Sequence, residues 1–302
     1  MKRTYHQYLT FLRRAGGLSP ATLDCHRHHI LPLLRFVRRR GLRCWSKLSV
    51  HQLDAFQRWY KPKAARSYRA SIQYTLRRFL RYLHFRGIID RPLDRLVMMP
   101  RIYSYEKLPR FLTAQQVKRL LAVIDQSKRT GRRDYAVILL MLSTGIRARE
   151  CVNLTLEDVD WRGRLLRVEP TKTRTARLVP IPPAALEALA AYLKRDRPPT
   201  TRTRSLFLIY GPNSDWRRDP APLTYTTLGR VVRDWLKRAG LRVGSSCYAL
   251  RHTYAQHLLD RGAGYPTLQA LLGHRSLHTI RFYARVNFSE LREVADNDAE
   301  KI

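Results

Sequence analysis

The residues able to do chemistry concentrate between Tyr248 and Tyr283. The stretch reads Tyr248-Ala-Leu-Arg251-His252, passes through a helical run, and closes on Leu271-Leu-Gly-His274-Arg-Ser-Leu-His278-Thr-Ile-Arg-Phe-Tyr283. Breaking and rejoining a nucleic-acid strand without metal or ATP needs cations around a phosphate, a proton donor for the leaving oxygen, and a nucleophile that holds the phosphate covalently. Arg251 offers a planar five-donor fork suited to two phosphate oxygens, His274 a further donor, and Tyr283 a hydroxyl able to attack phosphorus and leave again. No other part of the chain is so dense in such groups.

Arg251-His252-Thr253, Leu271-Leu-Gly-His274 and Tyr283, with gaps of 23 residues from Arg251 to His274 and 9 from His274 to Tyr283, resemble the C-terminal signature of the tyrosine recombinases, the integrase and Xer-like site-specific recombinases. Thr144-Gly-Ile-Arg147-Ala-Arg149-Glu150 looks like that family's first arginine motif. The likeness makes Arg147 a phosphate ligand, and Glu150, three positions on, shares its side of a helix and can hold the guanidinium. The family also carries a lysine on a β-hairpin, and counting back from Arg177-Leu-Val-Pro180 places it at Lys172. A lysine there can protonate a leaving 5′ oxygen if nearby cations lower its pKa from about 10.4. Arg174 is the rival, but a permanently charged guanidinium is a poor proton donor, so Arg174 is read as a DNA contact.

One position departs from the pattern. Where the family usually has His-x-x-Arg, this chain has Tyr248-Ala-Leu-Arg251. On a helix Tyr248 and Arg251 share a side, so the phenol is expected to face the phosphate as a hydrogen-bond donor, although it is a poor proton acceptor at neutral pH. His252, about 100° round the helix from Arg251, is expected to pack behind the site. His278 is read as a surface residue.

The resemblance implies cleavage through a 3′-phosphotyrosyl link to Tyr283, Arg147, Arg251, His274 and Tyr248 around the phosphate, and Lys172 as general acid. It implies no cofactor, since the covalent link conserves the phosphodiester's energy. The implied partner is double-stranded DNA with inverted-repeat target sites, held by a homotetramer on two duplexes that exchanges C-terminal tails. A requirement for a second recombinase subunit is left open. Two other readings are a DNA-binding architectural factor that has lost catalysis and a monomeric type IB topoisomerase.

Bulk properties agree with a nucleic-acid partner. Lys and Arg number 58 against 23 acidic residues, a net charge of +35 that a polyanion would neutralise. Residues 1–110 hold 25 basic and 5 acidic residues, a surplus of 20, against a surplus of 15 over the other 192. The N-terminal part therefore reads as the more purely DNA-holding half. Cys25, Cys44, Cys151 and Cys247 lack paired spacing and read as reduced packing residues, and no metal site is expected. No apolar run approaches the roughly 20 residues of a membrane span, and the N-terminus lacks a signal-like apolar segment. A soluble, cytoplasmic, nucleoid-associated protein is expected.

The elements that must position these residues follow from periodicity and caps. Ser19-Pro20 starts a helix through Leu23, Ile30, Leu34 and Val37 that ends near Gly41, and a shorter one spans about 50–60. From about Lys63 to Arg86 a helix sets Tyr68, Ile72, Leu76, Phe79, Leu80 and Leu83 on one side, with Arg66, Arg77 and Arg81 opposite, where they can lie along phosphates. Pro92, Pro100 and Pro109 mark residues 90–110 as a linker, and Thr113-Ala-Gln-Gln116 opens a new helix with a capping box. Tyr135 to Leu142 is apolar all round and reads as a buried helix stopped at Gly145. Leu165–Glu169 and Arg177–Ile181 read as hairpin strands, followed by a helix over about 183–194. Arg197 to Pro222 reads as a surface insertion, and Thr224 caps a helix ended by Gly240. The fold expected is mainly α with a small β-hairpin, a two-domain DNA clamp. Residues 1–95 form the helical core-binding domain, 96–110 the linker and 111–302 the catalytic domain, with a tail from 288 to 302.

Overall fold

The computed structural model describes residues 1–14, 17–100, 111–169, 176–198, 201–209, 220–243 and 246–273. The chain divides into two compact units, Met1–Glu106 and Lys107–Ile302, each with its own core.

In the described part of the first unit apolar spacing sets α1 (Lys2–Arg14), α2 (Pro20–Arg39), α3 (Val50–Trp59) and α4 (Arg66–Phe85), and side-chain caps start α2 and α3. Ser19 Oγ accepts from Thr22 N at 3.3 Å and Pro20 pre-sets the first turn of α2. Ser49 and Gln52 form a reciprocal capping box on α3, with bonds of 3.3 and 3.0 Å. The four helices close on Tyr8, Leu34, Phe56, Leu76 and Phe79, all nearly inaccessible. The sequence reading assigned no element to residues 2–14. Tyr5, Tyr8, Leu9 and Leu12 are nonetheless spaced for one buried helix face, and they fill it.

Two expectations for this unit change. The proline-marked linker begins later than Pro92 suggests, because a short 3-10 turn at Leu93–Leu96 buries Leu93 and Val97 in the first core. Arg77 and Arg81 also serve the fold. Arg77 Nε and Nη2 donate to Val97 O at 2.9 and 2.7 Å, and Arg81 pairs with Asp94 at 3.2 Å. Helical periodicity placed them opposite the main core correctly, but could not show that residues 93–97 fold back over that side.

The second unit is built around α6 (Arg129–Thr144), preceded by α5 (Ala114–Ala122) with the Thr113–Gln116 capping box. Ala136, Val137, Ile138, Leu140 and Met141 are fully buried, as a helix apolar on every side requires. After the short α7 (Ala148–Asn153) come β1 (Val159–Asp160), β2 (Leu165–Val168) and β3 (Arg177–Pro180), an antiparallel sheet in that order. Its register sets Leu166 opposite Val179 and Val168 opposite Arg177. Then follow α8 (Pro183–Arg195), β4 (Leu208–Ile209), β5 (Ala221–Pro222), α9 (Tyr225–Arg238), α10 (Ser246–Leu259) and α11 (Tyr265–Leu272).

The expected surface insertion at 197–222 is part of the fold at both ends. Leu206, Phe207 and Leu208 are buried, β4 pairs with β5, and Leu208 O accepts from the buried Arg133 at 3.1 Å. The prolines and arginines of the segment outweighed its short Leu-Phe-Leu-Ile run, which is the part that enters the core. All four cysteines are free, and Cys151 is buried. Among the described residues no helix is long and apolar enough to cross a membrane.

Candidate active site

Arg147 owes its position to the glycine before it. Gly145 ends α6 at φ 61°, ψ 17°, and a Cβ there would run into the Tyr254 ring. Only glycine combines that left-handed turn with so close an approach. The reversal sets Arg147 at the N-cap of α7 and Glu150 at its third position. One Glu150 oxygen accepts from the Arg147 backbone N at 2.8 Å, capping the helix, and the other accepts from Arg147 Nη1 at 2.8 Å. Glu150 thus holds the Arg147 guanidinium.

It also holds a second arginine. Arg177 Nη2 and Nη1 reach the two Glu150 oxygens at 2.8 and 3.2 Å, a bidentate pair with a side chain that is completely buried. Burial pushes the Glu150 carboxyl up, but the bonds from Arg177 and the Arg147 backbone, with the Arg177 charge, more than offset it and hold the carboxyl below its ordinary value. Motif spacing alone gives Arg177 no role. The signal for it was strand alternation: Arg177 lies two residues from the buried Val179, on the same face of β3, and an arginine there needs a carboxylate.

Arg251 comes from α10 and is 3 % exposed. Its Nη1 donates to Gly145 O and its Nη2 to Leu272 O, each at 2.6 Å. Arg147 Nη2 donates to Gly273 O at 3.1 Å and Arg177 Nε to Leu271 O at 2.9 Å. Three successive carbonyls at the end of α11 therefore each meet a different arginine. These oxygens lack intrahelical partners and sit at the negative end of the helix dipole, which explains why cations collect there. Gly273, at φ 60°, caps the helix, and a Cβ on it would lie 3.0 Å from Arg177 Nη1.

The cluster brings three guanidiniums together against one carboxylate. The surplus of positive charge suits an anion such as a phosphate, and Arg147, whose side chain is 30 % exposed, opens to solvent. His252 packs behind Arg251. Burial, and next the Arg251 charge, push its pKa down to about 4, so it is neutral near pH 7. Tyr248 shares α10 with Arg251 but is 54 % exposed, its ring 4.3 Å from that of His252 in an edge-to-face contact. Among the described residues its hydroxyl makes no hydrogen bond.

The structure thus assembles Arg147, Glu150 and Arg251 and adds Arg177. Lys172, Arg174, His274, His278, Tyr283 and the 288–302 tail lie outside the described residues. Arg66, Arg77 and Arg81 belong to the first unit. Among the described residues no group of three His, Cys, Asp or Glu side chains is placed to hold a metal ion.

Residues 110–290 match the phage integrase family, and residues 5–87 match the phage integrase N-terminal SAM-like domain. The chain is 32 % identical over 305 residues to the tyrosine recombinase XerD of Mycobacterium tuberculosis, covering 95 % of this chain and 94 % of that protein. It is 28 % identical over 298 residues to the tyrosine recombinase XerC of Anoxybacillus flavithermus, covering 96 % and 95 %. Among solved structures, a lambda integrase (75–356) dimer bound to a COC′ core site shares the fold with a TM-score of 0.71 at 20 % identity, covering 94 % of each chain. With family models matched across both units and relatives similar along nearly its whole length, the chain belongs to the phage integrase family of tyrosine recombinases.

Proposed function

We propose that this protein is a site-specific DNA recombinase that cuts and rejoins strands through a 3′-phosphotyrosyl link to Tyr283. The observation that carries the reading is the convergence of Arg147 and Arg251 on the end of α11, immediately before His274 in the sequence. Arg147 and Arg251 neutralise the scissile phosphate, His274 and Tyr248 add donors, and Glu150 keeps the Arg147 fork aimed. Tyr283 gives its phenolic proton to solvent as it attacks phosphorus, the 5′ oxygen leaves with a proton from Lys172, and a 5′ hydroxyl of the partner strand reverses the step. Most of the rate comes from placing fixed donors where charge develops, and each such donor contributes about 10²- to 10³-fold.

The first unit, with its excess of positive charge, holds the duplex, and Arg66, Arg81 and Arg174 add phosphate contacts; Arg77 is first engaged by Val97. The target is duplex DNA with inverted repeats. A homotetramer on two duplexes, joined by exchanged C-terminal tails, carries out strand exchange, alone or with a second recombinase subunit. The protein works in the cytoplasm at the nucleoid.

Tyr283→Phe tests the assignment, because it removes only the hydroxyl. On a nicked suicide substrate the wild type forms a denaturant-resistant protein–DNA adduct and the variant does not, while both bind the site. An adduct that persists in the variant, above all one mapped to Tyr248, would overturn the assignment.

A further inference from the structure

We propose that Arg177 is a positioning residue of the recombination site, tying three separately encoded segments into one arrangement through Glu150 and the end of α11. The proposal rests on the reading of Arg147 as a phosphate ligand.

Arg177 opens β3, opposite Val168 in β2, and Lys172 lies between these two strands in the sequence. Its side chain turns to the core face and is 11 % exposed, too buried to serve as a general DNA contact. Two of its nitrogens grip the carboxylate that also grips Arg147, and its third donates to Leu271 O. The Glu150 carboxylate has two oxygens and both are shared: one between the two guanidiniums, the other between Arg177 and the Arg147 backbone. With Arg177 removed, Glu150 would be left buried with Arg147 as its remaining charged partner, and the easiest relief is to draw the Arg147 guanidinium inward, away from DNA. The same loss frees Leu271 O, two residues before Gly273. Gly273 has a matching requirement, since the space a Cβ would need there is filled by the Arg177 guanidinium. Lysine cannot replace this fork, because a single ammonium cannot span both carboxylate oxygens and the helix carbonyl in one plane.

The test is single-turnover cleavage of a nicked suicide substrate by the full chain, in a cycle of wild type, Arg177→Lys, Arg147→Lys and the double variant. Thermal unfolding and binding to the same site are measured alongside. We expect Arg177→Lys to fold, to bind within about threefold of wild type because many other basic residues remain, and to cleave at least tenfold more slowly. In the Arg147→Lys background the same change should cost less than threefold, since its effect is transmitted through Arg147. Equal costs in both backgrounds, wild-type cleavage by Arg177→Lys, or failure of Arg177→Lys to fold would each overturn the proposal. No cleavage by the wild type would instead sink the recombinase reading itself, so the two failures are distinguishable.

Discussion

Tyr248 sits exposed at the rim of the arginine cluster, one helical turn before the buried Arg251. Sharing a helix side with Arg251 suggested that the phenol faces the phosphate, yet Arg251 is buried and Tyr248 is half exposed against His252. A 60° offset on a helix is enough to put one residue inside and the other at the rim. An exposed donor fits a role that DNA completes. Tyr248→His, which also donates, should keep single-turnover cleavage within about tenfold, or roughly 1.4 kcal/mol. Tyr248→Phe should slow it by about 10- to 150-fold, the range for a donor to a charged acceptor worth roughly 1.5 to 3 kcal/mol. A phenylalanine variant as fast as wild type would make Tyr248 a packing residue. Arg147, Glu150 and Arg251 were legible because their spacing carries them. Arg177 was not, since its partner is 27 residues away and only the fold brings the two together.

At the scale of elements, caps and periodicity locate most helices, and two of the misses share a cause. Residues 93–97, which turn Leu93 and Val97 inward, and the apolar run 206–208 lie inside segments rich in proline and arginine, and what decides their place is the surface they cover. The turns that end α6 and α11 both use a left-handed glycine, yet they should respond differently to alanine. At Gly145 the backbone cost of roughly 1–2 kcal/mol adds to a clash with the Tyr254 ring worth about 1–3 kcal/mol, so Gly145→Ala should lower the unfolding midpoint by several degrees. At Gly273 the same backbone cost applies, but the obstacle is the Arg177 side chain, whose displacement would loosen its grip on Glu150 and Leu271 O. Gly273→Ala should therefore cost cleavage more than stability, and a variant that melts early but cleaves normally would contradict this.

Acid should act first through buried histidines, His26 in the first unit and His252 behind the site, each pushed from 6.5 down to about 4. His26 is buried on α2 with its Nδ1 2.8 Å from the Tyr8 hydroxyl, and burial, with Arg78 and His29 adding to it, pushes its pKa from 6.5 down to about 4. Between these values the unfolded chain binds a proton that the folded chain refuses, so stability falls as pH drops from 6.5 toward 4. Glu150 works in a lower window. Its pKa is depressed, so its contribution is complete above the ordinary value of 4.5 and is lost only as pH falls below it. Melting temperatures from pH 7.5 to 4 should decline, and the decline should be shallower in His26→Asn, whose side chain does not titrate; an equal slope would remove His26 as the cause.

Charge dominates the behaviour of the whole molecule. A protein of +35 releases many counterions when it binds DNA, so affinity should fall steeply and linearly on a log–log plot against salt. Against that background the C-terminal end is an exception, with Glu290, Glu293, Asp296, Asp298 and Glu300 among the last 13 residues and only Arg292 and Lys301 opposing them. A segment of that sign is repelled by phosphates and attracted by the basic surface of another copy. Its expected work is between subunits. Deleting residues 288–302 should leave binding to a single site within about twofold by mobility shift, since the arginines that supply most of that affinity remain. The same deletion should abolish the slower species in which two DNA sites are held together, and with it recombination. Truncated protein that recombines two sites at the wild-type rate would show that the acidic end takes no part in assembly.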